Sequence, residues 1–215
     1  MSLARHMTIS ALLLGLFAII GTAMVALIHD ATAERIAANH RAFLLKSLHI
    51  LVPPEQHDND LFTDVITVTH QELLGSKKPV RVYRARRNEK PVTAIINAIA
   101  PDGYSGSIDL LVAIRYDGTL AGVRVVKHKE TPGLGDSIEA SRSDWILGFD
   151  DRSLTNPEKK GWAVKRDGGI FDQFTGATIS PRAIVNAVYR SLLYFDTHRD
   201  ELFNKPSLPI EEETS

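Results

Sequence analysis

Between Thr8 and Ile28 the chain carries no charged residue, and Ile9 to Ile28 reads ISALLLGLFAIIGTAMVALI. About 20 apolar residues in helical form cover the roughly 30 Å hydrocarbon core of a bilayer. That run constrains everything after it, because one end of the chain is then an anchor in lipid and the rest must fold outside it. Arg5 and the amino terminus precede the run, while Asp30 and Glu34 follow it. The asymmetry predicts a single pass, with a short N-terminal tail inside and the remaining chain on the exported side. Ala31-Thr32-Ala33 resembles a signal-peptide cleavage site. An apolar region of about 20 residues nevertheless exceeds the roughly 7–15 of a signal sequence, so residues 1–29 read as a retained anchor.

The 215 residues leave room for one ordinary domain beyond the anchor. Net charge is −1, and the 25 Lys and Arg are spread along the chain, so a nucleic-acid partner has no electrostatic basis. The absence of cysteine excludes disulfides, thiolate metal sites and cysteine nucleophiles. The eight histidines form no H-x-H, no H-E-x-x-H and no i, i+4 pair, so no metal site is expected. No nucleophile, base and carboxylate set stands out either, and no catalytic residue is named.

Asp30 to Leu51 places Ile36, Phe43, Leu44, Leu48 and Leu51 at helical spacing before Pro53-Pro54. This predicts a juxtamembrane helix, then a polar connection over 53–64. Val80 to Tyr83 and Thr93 to Ile96 flank Asn88-Glu89-Lys90, which suggests a hairpin. Ile108 to Tyr116 and Leu120 to Lys127 flank Asp117-Gly118-Thr119, where glycine supplies the positive φ a tight turn needs. Antiparallel strands followed by helices give an α+β domain, expected over 65–200 with a tail at 201–215 that frays from Lys205.

Three stretches could carry chemistry. In Asp172-Gln173-Phe174-Thr175-Gly176-Ala177-Thr178, a turn leads to a helix expected to start with Ser180 as N-cap and Pro181 at its first position, and to end near Phe195. Ile184, Val188 and Leu192 mark its buried stripe, and Arg182, Asn186 and Arg190 its wet one. A helix start suits a phosphate, and Gly176 and Ala177 leave space beside the Thr178 hydroxyl. On these features alone an ordinary helix-entry turn is the simpler reading. Glu130-Thr131-Pro132-Gly133-Leu134-Gly135 follows a strand, but the third glycine of a dinucleotide fingerprint is replaced by Ile138. A rigid loop leading to a helix capped by Asp136 and running through Trp145, or a wall against a planar ligand, are equally open. Gly103-Tyr104-Ser105-Gly106 reads as a turn with an exposed aromatic.

Taken in order, these three stretches resemble the FMN-binding domain shared by the G subunit of the Rnf (Rsx) electron-transport complex and the C subunit of the sodium-pumping NADH:quinone reductase. The resemblance covers nearly the whole chain and is closer to the Rnf protein. It implies an FMN joined covalently, through its phosphate, to Thr178 by a flavin transferase that uses FAD. Asp172 matches the motif aspartate read by the transferase, and Thr175 stands where serine is commoner. The flavin ring is then expected against Gly103 and Tyr104, the Glu130, Thr131, Gly133, Leu134 and Gly135 loop, and Thr175, Gly176 and Ala177. The implied setting is a bacterial inner membrane with the other Rnf subunits as partners. The implied function is electron relay, without NADH binding by this chain. A tethered docking module with no redox role, or a free-standing flavin reductase, would carry the same motif.

Overall fold

The structure, a computed structural model, describes residues 3–208. It divides into two units, Met1–Lys46 and Ser47–Ser215. The described part of the first unit is all helix and belongs to α1, which runs Leu3–Leu51 without a break for 49 residues. At 1.5 Å per residue it is about 74 Å long. The anchor and the juxtamembrane helix, read as separate pieces from sequence, are one element: no proline or glycine lies between Ile28 and Leu51 to interrupt it. Pro53 and Pro54 stop it, as expected. By length and composition α1 can cross a membrane, and its apolar window is exposed. Within that window the Thr22 hydroxyl donates to the Ala18 carbonyl at 2.8 Å, which satisfies a polar group without any outside partner.

The second unit is built on a five-stranded antiparallel meander in the order β1 (Val65–His70), β2 (Ser76–Arg87), β3 (Lys90–Ala100), β4 (Ile108–Arg115), β5 (Leu120–Lys127). A short helix, α2 (Gln71–Leu74), joins β1 to β2, and the long α3 (Ile179–Asn204) closes the chain. Both expected hairpins are present. Asn88 and Glu89 turn the first with φ of 49° and 64°, and Gly118 N–H donates to the Arg115 carbonyl at 2.9 Å in the second.

Register places Val82, Ile96, Val112 and Val123 on one face of the sheet, where they pack with Ile184, Val188 and Leu192 of α3. The opposite face presents Tyr83, Ile95 and Ala113. It too is covered: Leu48, Leu51 and Val52 are buried, and a Cβ on Gly122 would lie 2.9 Å from Leu51 Cδ2. Both faces being dry explains why β3 and β4 read as continuous apolar runs rather than alternating ones.

The 53–64 connection is also less loose than its composition suggests. Leu61 is buried, and Asp64 pairs with Arg84 and, at 2.7 Å, with Arg86. Arg84 is only 2% exposed and donates to the carbonyls of Leu202 (2.9 Å) and Lys205 (2.5 Å) and to the Ser207 hydroxyl (2.8 Å). Leu208 N–H donates to the Val65 carbonyl at 2.7 Å. Residues 205–208 are therefore pinned to the domain, and the rest of the expected tail, 209–215, lies outside the described residues.

Candidate functional site: the turn before the last helix

Phe174 and Ala177 close a tight turn, with Ala177 N–H donating to the Phe174 carbonyl at 3.1 Å and Gly176 at φ 82°. Thr175 and Gly176 line its outer side, and Thr178 is half-buried at the position just before α3. The helix begins at Ile179, two residues earlier than the Ser180-Pro181 signature indicates. Thr178 takes the cap position, with φ −78° and ψ −26°, yet its side chain makes no capping bond. The N–H groups of Ile179 and Ser180 have no acceptor four residues back within the helix, and the first such bond runs from Arg182 N–H to the Thr178 carbonyl at 3.3 Å.

Ser180 does not cap because its hydroxyl is used elsewhere. Fully buried, it donates to Glu130 Oε2 at 2.5 Å. The other carboxylate oxygen, Oε1, accepts from Ser105 N–H at 3.1 Å. Close approach at both ends requires glycine. A Cβ on Gly103 would stand 2.2 Å from the Gly106 carbonyl oxygen, and one on Gly135 would stand 2.9 Å from Glu130 Cβ. Thus Gly103, Glu130 and Gly135 converge at the start of α3. Thr131 contributes its carbonyl, which accepts from Leu134 and Gly135 N–H at 3.2 and 3.0 Å.

Gly133 turns the exposed tip of that loop with φ 78°, and Leu134, 48% exposed, lies over Gly176. Tyr104, 69% exposed, makes no hydrogen bond or ring contact with the other members among the described residues.

Further contacts brace the turn from behind. Trp145 Nε1–H donates to the Asp172 carbonyl at 2.8 Å, and its ring stands 5.4 Å from that of Phe174. Lys165 Nζ pairs with Asp172 at 2.6 Å, and Arg166 N–H donates to Gln173 Oε1 at 3.2 Å. Arg182 holds Asp167 through two bonds of 2.6 and 2.9 Å, and the hydrogen bond from Arg182 lowers the Asp167 pKa. The helix expected from Asp136 through Trp145 is replaced by two 3₁₀ turns, Gly135–Ile138 and Asp144–Phe149, the second capped by Ser143. Asp136 is buried and caps neither of them; it faces Arg142 Nε at 3.5 Å. His128 Nε2 meets Glu139 Oε1 at 2.6 Å, and that bond lowers the Glu139 pKa against the opposing effect of burial.

Among the described residues no three His, Asp or Glu are grouped to hold a metal ion. Sequence reasoning has no route to Ser105 or the Ser180–Glu130 bond, since each acts through a partner distant along the chain, and it also misses Lys165, whose partner Asp172 is close in sequence but is met only through the turn between them.

The residues present suit a phosphorylated ring compound in chemical terms. A threonine hydroxyl with no capping bond, two helix-start N–H groups, small residues beside it, and exposed Leu134 and Ile179 are gathered at the entrance of α3. Fold and site together define an α+β domain, with a helix entrance suited to a phosphate, behind an N-terminal apolar helix. A family profile described as FMN-binding domain matches residues 103–193, and one described as RnfG N-terminal region matches 1–51.

The relatives agree along nearly the full length. A protein of Pseudomonas aeruginosa is 50% identical over 198 residues, covering 92% of each chain. One of Pseudoalteromonas atlantica is 49% identical over 193 residues, covering 90% of each. A third, of Shewanella loihica, is 46% identical over 203 residues, 94% of this chain and 96% of its own. All three are named as the G subunit of an ion-translocating oxidoreductase complex. The chain belongs to that family, the G subunits of Rnf-type complexes.

Proposed function

We propose that this chain carries FMN on Thr178 through a phosphoester bond and relays electrons as one subunit of a membrane-bound, ion-translocating oxidoreductase complex. The observation that carries the reading is the Thr178 hydroxyl: it stands at a helix entrance, makes no capping bond, and ends a turn braced from behind by Trp145 and Lys165. FMN, when bound, supplies the one- and two-electron chemistry. The protein's own part is to hold it. A phosphodiester on Thr178 keeps a negative charge where the N–H groups of Ile179 and Ser180 and the positive end of α3 favour it. Leu134 and Tyr104 offer apolar surface for a ring.

A free threonine hydroxyl is a weak nucleophile, so a separate flavin transferase makes the bond, with Asp172 and the turn as its recognition surface. The names of the relatives support further complex subunits as partners. α1, with Arg5 before its apolar run and Asp30 and Glu34 after it, supports a single pass through a bacterial inner membrane, the N-terminus inside and the flavin domain on the periplasmic face.

The test is mass spectrometry of the tryptic peptide containing Thr178, from protein co-expressed with the transferase. We expect a gain of one FMN less water, and complete loss of in-gel flavin fluorescence in Thr178→Ala. A bare peptide from natively matured protein would overturn the reading. Redox titration then separates a relay from a docking module, which need show no reversible flavin couple.

A further inference from the structure

The family resemblance sets Glu130 against the flavin, yet both of its carboxylate oxygens are already engaged inside the protein. The residue is 4% exposed, Oε1 accepts from Ser105 N–H at 3.1 Å, and Oε2 accepts from the Ser180 hydroxyl at 2.5 Å. At 4% exposure almost none of the carboxylate is open to a ligand, and displacing either bond would leave a buried donor unpaired, which is costly. The carboxylate thus ties together three segments that are far apart in sequence: the turn at 103–106, its own loop at 130–135, and the first turn of α3. The glycines at 103 and 135 leave room for it. Its backbone is held in turn, since Glu130 N–H donates to His128 Nδ1 at 3.0 Å, leaving His128 Nε2 to meet Glu139 at 2.6 Å.

We infer that Glu130 is a positioning residue, which locks the start of α3, and with it Thr178, in register with the two loops beside it. It acts on a flavin at Thr178 only through them. The flavin arm of this inference rests on the proposed attachment; the mechanical coupling of the three segments does not.

The experiment uses full-length protein co-expressed with the flavin transferase, and compares wild type with Glu130→Ala, Glu130→Gln and Ser180→Ala. Amide hydrogen exchange reads the coupling. Time-resolved anisotropy of flavin fluorescence reads the ring's freedom, and a redox midpoint reads its electrostatic surroundings.

Glu130→Ala should raise exchange at 103–106 and at 179–182 together, about tenfold, as expected for loss of a buried hydrogen bond. It should also speed flavin reorientation, while the peptide mass still shows attachment. Ser180→Ala should loosen the α3 end and leave Ser105 held. Glu130→Gln should stay near wild type, because the amide oxygen still accepts from Ser105 and the Ser180 hydroxyl can accept from the amide nitrogen. Should Glu130→Ala fail to fold, the other two variants, close to native in volume, decide the question.

The inference is overturned if exchange rises only around residue 130, or if flavin motion is unchanged while the segments loosen. It is equally overturned if Glu130→Gln moves the midpoint as far as Glu130→Ala does, which would mean that the charge acts on the ring directly. A wild type without attached flavin would sink the proposed function instead, and the exchange data would still settle the coupling.

Discussion

Arg84 occupies a position in β2 where its face-mates Val80 and Val82 are core residues, and it stays there because acceptors surround its amino groups. Asp64 supplies the opposite charge, the carbonyls of Leu202 and Lys205 take two bonds from one amino group, and Arg86 adds a bond of 2.6 Å to the Phe203 carbonyl. Burial alone would raise the Asp64 pKa, but hydrogen bonds from Arg86 and Ser207 and the charges of Arg84 and Arg86 outweigh it and leave it below the ordinary 3.8. Because the folded protein therefore holds this proton more weakly than the unfolded chain, the stabilisation is complete above the ordinary aspartate range. It is lost as pH falls through 3.8 toward the folded-state value. Asp64→Asn should cost roughly 3 kcal/mol at neutral pH, as breaking a largely buried pair does. Melting curves between pH 7 and pH 2 should show a shallower acid decline in the variant than in wild type. Trp145→Phe keeps the ring against Phe174 but removes the donor to the Asp172 carbonyl. A loss of about 1 kcal/mol is expected and, on the attachment proposed for Thr178, a slower gain of flavin in a timed in-gel fluorescence assay.

At the level of elements, features that depend on neighbours in sequence are legible, and those that depend on distant partners are not. The two hairpins are legible because Asn88-Glu89 and Asp117-Gly118 are turn signals that need no distant partner. The buried stripe of α3 is legible from period alone, with Ile184, Val188 and Leu192 all in the core. The start of α3 is not, because Ser180 looks like a cap while its hydroxyl is bound to a carboxylate 50 positions away. The segment after Asp136 is rich in Ser and Asp, whose side chains bond locally and favour turns over helix, which accounts for 3₁₀ pieces in place of an α-helix. The convergence of Gly103, Glu130 and Gly135 is foreshadowed by resemblance, but the bonds that produce it are not visible in the sequence. Ile184→Ala tests the packing of α3 on the sheet. A loss of about 3 kcal/mol is expected for a fully buried isoleucine, read as a fall in the urea midpoint with unchanged slope.

The molecule as a whole combines an exposed apolar helix with a domain whose strands pair in simple sequence order, so most sheet contacts are local and should form early. The last described residues are different. Removing 205–215 would take from Arg84 both the Lys205 carbonyl and the Ser207 hydroxyl, and from Val65 its bond to Leu208. That truncation should destabilise the domain by several kcal/mol, since it leaves a buried guanidinium short of acceptors, and it should speed cleavage by protease in detergent-solubilised protein. The same clamp sets a timetable. A chain still emerging from the ribosome has all five strands in hand before residues 205–208 exist to satisfy Arg84, so the seam between β1, β2 and the far end of α3 is sealed only after every other element of the domain has been made.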